Sequence, residues 1–277
     1  MPDFSSYKTI AVATTFSPRF KQVFAEAKRI RERFSADLHL IYAGKRNEET
    51  AKKFHDALTE LQLPTDSTIH YEEGEGDPAE AILRTLNREG IDMVVAGALE
   101  KEVVLHPFLG NVARRLVREA PCAVMLFIKP MVQPQPLSRI VFIADDSDHG
   151  LQALKRTLLL AAAESCERLY VISIITTFDE ARASRSSGGS KGKDSSVQHE
   201  EEEALEQFVL SAGATEVPIE VRCVRGNTGL VASDFVQSVK ADLLVVPLQK
   251  KGKANLPIPS NIAWITDVIP CNLWVIR

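Results

Sequence analysis

The chain repeats itself, and the repeat limits what it can fold into. Gly76-Asp77 returns as Gly226-Asn227, Asp92 as Asp242 and Asn111 as Asn261, each 150 residues later, and Pro121-Cys122 returns as Pro270-Cys271 after 149. The 277 residues therefore read as two copies of one unit of ordinary domain size. In the first copy, residues 9–14 form a short β-branched run. Apolar residues then recur at Phe20, Val23, Phe24, Ala27, Ile30 and Phe34 with helical spacing. The alternation continues with a strand at 38–43, a helix at 48–61, a strand at 69–72, a helix at 78–89, a strand at 93–97, a helix at 111–118 and a strand at 123–128. Strands alternating with helices imply right-handed crossovers and a parallel sheet covered on both faces. The third helix carries its own start signal. Asp77 is placed to accept from the amide of Glu80, Pro78 suits the first helical position, and Glu80 completes a capping box.

Residues 129–138 contain Pro130, Pro134 and Pro136, which suit neither a helix interior nor a central strand, so they read as a linker. The alternation restarts with a strand at 140–144, a helix at 148–163 and strands at 169–175, 220–224, 243–246 and 273–276. The expected fold class is α/β, with two tandem doubly wound, mainly parallel five-stranded sheet domains related by pseudo-two-fold symmetry. The domains span 1–128 and 139–277. Aligning Thr14 with Asp145 gives an offset of only 131, which leaves about 19 extra residues in the second copy. They fall at 183–196, a stretch rich in Ser, Gly and Lys that is expected to be a flexible loop. The acidic run 200–203 then reads as the solvated start of a helix.

Charge and cysteine usage exclude several function classes. Lys and Arg number 33 against 37 Asp and Glu, for a net charge of −4, so no phosphate-seeking surface for nucleic acid is expected. Hydrophobic residues at 45% allow a packed core, yet no apolar run approaches the ~20 residues of a membrane span. A cytoplasmic protein is expected. Cys122, Cys166, Cys223 and Cys271 lie far apart, without a Cys-x-x-Cys pair, and read as free thiols. The six histidines show no metal-ligand spacing, so no metal site is expected.

Ligands of open parallel sheets bind beyond the carboxyl ends of the strands, where strand order reverses. That directs attention to the loops after the first and fourth strands of each copy. Asp145-Asp146-Ser147-Asp148-His149 follows the first strand of the second copy. It suggests a triad by composition, but adjacent positions do not align a base with a nucleophile, and helix capping by Ser147 or Asp148 accounts for them. Asp145, at the strand end, is a candidate ligand contact. After strand four of the first copy come Gly97 and, later, His106-Pro107 and Gly110-Asn111.

These segments resemble the universal stress protein family. Its phosphate-binding segment, Gly-x2-Gly-x9-Gly-Ser/Thr, is matched in spacing by Gly97, Glu100 and Gly110-Asn111. Residues 120–124 resemble the family's approach to its last strand, Asp145-Asp146-Ser147 its Asp-Gly-Ser, and Gly226 its glycine before helix three. The resemblance spans both copies and implies a tandem member. It also implies an adenine nucleotide such as ATP as ligand, but the motifs are degenerate. Glu100 replaces the middle glycine, Asn111 the hydroxyl residue, and Thr14 the adenosine-side Asp. The second copy reads Pro247-x2-Lys250-x9-Ser260-Asn261, without glycine. The candidate ligand residues are Asp145, Ser147, Gly97, Gly110, Asn111, Ser260 and Asn261, with no catalytic set. The expected function is a non-enzymatic stress-response protein acting by binding, with a regulatory protein or small molecule as partner. The alternatives are ATP binding or slow hydrolysis in the second copy, and binding of an apolar small molecule. The two copies form a pseudo-dimer within one chain, and a homodimer of whole chains is the further assembly left open.

Overall fold

In a computed structural model, residues 7–14, 16–65, 67–73, 76–98, 110–175, 194–226, 228–249, 265 and 269–277 are described. The first copy forms β1 (Thr9–Thr14), α1 (Phe20–Phe34), β2 (Asp37–Tyr42), α2 (Glu48–Glu60), β3 (Thr68–Tyr71), α3 (Pro78–Arg88), β4 (Met93–Gly97), α4 (Asn111–Glu119) and β5 (Ala123–Phe127). The second forms β6 (Arg139–Ile143), α5 (Asp148–Ala163), β7 (Arg168–Ile175), α6 (Asp194–Ser211), β8 (Ile219–Arg225), α7 (Thr228–Ser238), β9 (Leu243–Pro247) and β10 (Asn272–Ile276).

All ten strands belong to one sheet in the order β3-β2-β1-β4-β5-β10-β9-β6-β7-β8, which reads as the same five-strand order from either edge. Every pairing is parallel except the central one, where β10 runs antiparallel to β5 with Leu273 opposite Leu126, Trp274 opposite Met125 and Val275 opposite Val124. The reason lies in the strands themselves. Ala-Val-Met-Leu-Phe and Asn-Leu-Trp-Val-Ile are too apolar to stand as open edges, so each copy closes its edge on the other. Period-two alternation then feeds two cores. Ile10 and Val12 pack with Phe24, Ile30 and Phe54 on one face, while Ala11 packs with Ile82, Leu86 and Val117 on the other, and both cores run through both copies.

The repeated aspartates have a structural role. Asp92 Oδ2 accepts from the Lys8 amide at 2.8 Å and the Thr9 amide at 2.9 Å, and Asp242 Oδ2 accepts from the Arg139 amide at 2.8 Å. Each carboxylate satisfies the first amides of its copy's leading strand.

Three expectations need correction. The ladders put Ile10 opposite Met93 and Ile140 opposite Leu243, so Ile10 corresponds to Ile140 and Asp145 corresponds to Thr15 rather than Thr14. Thr15 lies outside the described residues. Asp77 accepts from the Ala79 amide at 3.0 Å, not from Glu80, because its other oxygen is drawn to Arg115 of α4. The capping box belongs to α2 instead, where Asn47 and Thr50 bond reciprocally at 2.8 and 3.0 Å. Finally, α6 begins at Asp194, within the stretch read as loop. The rest of that stretch, 183–193, lies outside the described residues.

The linker is held by a buried ion cluster. Arg29 of α1 donates to Glu26 at 2.7 Å, to Glu164 at 2.8 Å and to the Gln135 carbonyl at 2.7 Å, and Arg33 donates to Glu164 at 2.7 Å. Glu164 also accepts from the Leu137 amide at 2.9 Å, and Glu26 from the Met131 amide at 3.3 Å. Nearby, Tyr7 packs edge-on against Phe34 at 5.1 Å and lies 6.1 Å from Trp274 of the other copy. Since the β5–β10 ladder joins the copies without the linker, proteolytic cutting between Gln133 and Leu137 should leave them eluting together on gel filtration. Separation of the fragments would contradict that reading.

Candidate functional site

In each copy strand order reverses between the first and fourth strands, β1/β4 and β6/β9. At the carboxyl ends of β1 and β4 lies a cavity of about 140 Å³. Among the described residues its polar lining is Thr14 at the end of β1 and Ser17 and Arg19 in the connection to α1. The rest of the described lining is apolar: Phe20 and Val23 of α1, Ile82 of α3, Val112 and Ala113 of α4, and the small residues Ala13, Ala96 and Ala98. Helical periodicity in the sequence assigns Phe20 and Val23 to the core, and nothing in the spacing separates a residue that fills a core from one that lines a cavity in it.

Gly97 is part of this wall, and its role is packing. A Cβ at this position would lie 2.8 Å from Val23 Cγ2, so the glycine lets α1 close onto the end of β4. Gly110 caps α4 with extended backbone, and Asn111, the first residue of that helix, is exposed. Across the mouth, Arg115 joins Asp77 at the start of α3 to Glu119 of its own helix, with 2.7 Å to the Glu119 carboxylate. These partners hold both carboxyl groups below their usual range, through the Ala79 amide and Arg115 for Asp77 and through Arg115 for Glu119. Glu100 and His106, which sequence spacing placed in the phosphate segment, lie outside the described residues, as do Ser260 and Asn261.

In the second copy the residues after β6 do not assemble a triad. Ser147 is the N-cap of α5, and its hydroxyl accepts from the Gly150 amide at 3.1 Å. His149 Nε2 lies 3.1 Å from the Ile276 carbonyl, which only accepts, so this nitrogen carries the proton and cannot act as the base. Gly150 was not singled out from the sequence. It is buried at the start of α5, where a Cβ would fall 1.9 Å from the Asp145 carbonyl oxygen. That contact fixes the turn presenting Asp145, whose half-buried side chain stands at the carboxyl end of β6. On the far side of the same turn an open groove of about 420 Å³ runs between Asp146, Ser147 and Asp148 and the α6 residues Ala204, Gln207 and Phe208.

Gly226, the other repeat-matched glycine, sits at φ 141°, a left-handed backbone that favours glycine. All four cysteines are free, and burial raises each thiol, Cys122 to about 12, so none is a ready thiolate. Among the described residues no three His, Cys, Asp or Glu side chains converge on a metal position, and no helix is long and apolar enough to cross a membrane.

The profile of the universal stress protein family matches this chain twice, over residues 6–127 and 136–277. The chain belongs to the universal stress protein family. A curated member, the universal stress protein of the QAH/OAS sulfhydrylase 3′ region of Thermus aquaticus, is 30% identical over 137 residues, which covers 43% of this chain and 98% of that one. Among solved structures, a functionally unknown protein from Pseudomonas aeruginosa superposes with a TM-score of 0.73 at 16% identity, covering 100% of this chain and 94% of its own. A universal stress protein from Archaeoglobus fulgidus gives 0.60 at 15% identity, over 99% and 97%. At such identities the likeness is one of fold, and it extends over both halves of this tandem universal stress protein.

Proposed function

We propose that this universal stress protein acts by binding rather than catalysis, in the cytoplasm, through two units spanning 1–128 and 139–277 joined by the linker 129–138. In this reading the first unit takes no nucleoside triphosphate. The observation that carries it is the cavity at β1 and β4. Sites for drug-sized ligands run about 300–1,000 Å³, whereas this one has about 140 Å³ and an apolar wall. Ser147 accepts an amide in the α5 cap and His149 Nε2 meets a strand carbonyl, so the two are not joined as a nucleophile and its base.

One observation favours a second reading. The Asp145 side chain stands half-buried at the carboxyl end of β6, and no hydrogen bond to its carboxylate occurs among the described residues. It suits the hydroxyls of an adenine nucleotide, which would then belong to the second unit. Calorimetric titration of the whole chain with Mg-ATP separates the readings. Binding by the first unit is expected to be absent, so any saturable heat should vanish in Asp145→Ala, and no phosphate should be released. Micromolar binding that survives Asp145→Ala would refute the assignment of the first unit, and steady phosphate release would refute a purely binding role.

A further inference from the structure

The cavity at the ends of β1 and β4 is matched to a particular ligand class. Resting on the binding role proposed above, we infer that it receives a compact, single-ring or branched hydrocarbon-like molecule carrying one hydrogen-bonding group, held between Phe20, Val23, Ile82 and Val112 with that group toward Thr14 and Ser17. Size is the first argument. A dry apolar cavity of about 150 Å³ accommodates one benzene ring, and the space here is about 140 Å³. A purine with its sugar needs more space than that and would have to extend out through the open side of the pocket.

The distribution of polarity is the second. Among the described residues, polar side chains enter the lining only from the end of β1 and the connection to α1, while α3, α4 and the end of β4 contribute Pro78, Ile82, Val112, Ala96 and Ala98. A ligand with polar groups around its whole perimeter would leave most of them unpaired against this wall, at the desolvation cost that accompanies buried unsatisfied groups. A ligand with one such group would leave none.

Rigidity is the third. The floor is set by the approach of Val23 to Gly97, where there is no room for a Cβ, and the α3 and α4 walls are tied by Arg115 to Asp77. The size limit is therefore set by the packing of Val23 against the end of β4 and by an ion pair between α3 and α4.

The test uses the whole chain and para-fluorophenol as probe, followed by fluorine NMR. Saturable binding with a dissociation constant below about 1 mM is expected. Ala13→Leu and Val112→Phe each place bulk in the cavity from a different wall. Each should weaken the probe at least about tenfold, a change of roughly 1.4 kcal/mol, without lowering the thermal midpoint. If one variant fails to fold, the other decides. No saturable binding, or binding unchanged in the folded variants, would overturn the ligand assignment while leaving the proposed function standing. Displacement of the probe by AMP at micromolar concentration would instead overturn both, since the first unit would then hold a nucleotide.

Discussion

Replacing Glu164 by Ala should cost about 3–5 kcal/mol of stability. The Glu164 side chain is fully shielded from solvent and accepts from Arg29, Arg33 and the Leu137 amide. Its loss removes one of the two carboxylates facing Arg29, a guanidinium whose side chain is itself only 10% exposed. It also frees the linker amide at Leu137. Glu26 does not compensate, because burial already raises its carboxyl group above the usual range and makes it a reluctant anion. Urea unfolding with a double-mutant cycle through Arg29→Met checks this. The two changes should be less than additive, since each alone already removes the Arg29–Glu164 pair. A Glu164→Ala cost below about 1 kcal/mol would place the pair among weak surface bridges.

Gly150→Ala is expected to destabilise by about 1–3 kcal/mol or more, against the usual direction for glycine in a helix. In an exposed helix interior the same change gains up to about 1 kcal/mol through helix propensity. Here the new Cβ would lie 1.9 Å from the Asp145 carbonyl oxygen and 2.8 Å from its carbonyl carbon, both backbone atoms with no rotamer to escape by. The first turn of α5 must therefore lift away from the end of β6. That movement breaks the Ser147 cap on the Gly150 amide and shifts the Asp145 side chain. Urea unfolding should show the loss, and amide exchange should accelerate first at Gly150 and Leu151. A stabilised Gly150→Ala would mean that this turn yields freely.

Much of the scaffold was legible before any coordinates. Helix α5 occupies Asp148–Ala163, the bounds that its apolar spacing sets, and β4 occupies Met93–Gly97, as its short apolar run implies. The resemblance implied a pseudo-dimer within one chain, and β5 and β10 form its junction. The candidate site was legible in outline. Gly97 lies in the cavity wall and Asp145 at the strand end, but Gly97 serves packing, and Asn111 is an exposed first residue of α4. Where the sequence misled, a distant partner intervened. Asp77 was read as a local cap on Glu80, and Arg115, thirty-eight residues away, set its geometry.

The boundary between the two sources of information follows from the range of the forces. Periodicity, capping residues and prolines act within a few residues, so the sequence by itself determined the α/β alternation, the tandem division and the family. The pairing of Ile10 with Met93, which moves the counterpart of Asp145 from Thr14 to Thr15, depends on a ladder across strands. The ion cluster depends on Arg29 and Glu164, 135 residues apart. The apolar character of the first cavity depends on α1, α3 and α4 converging at one strand end. Such contacts exist only after the chain has closed on itself, since local patterns specify which residues turn inward and not which partners they meet there.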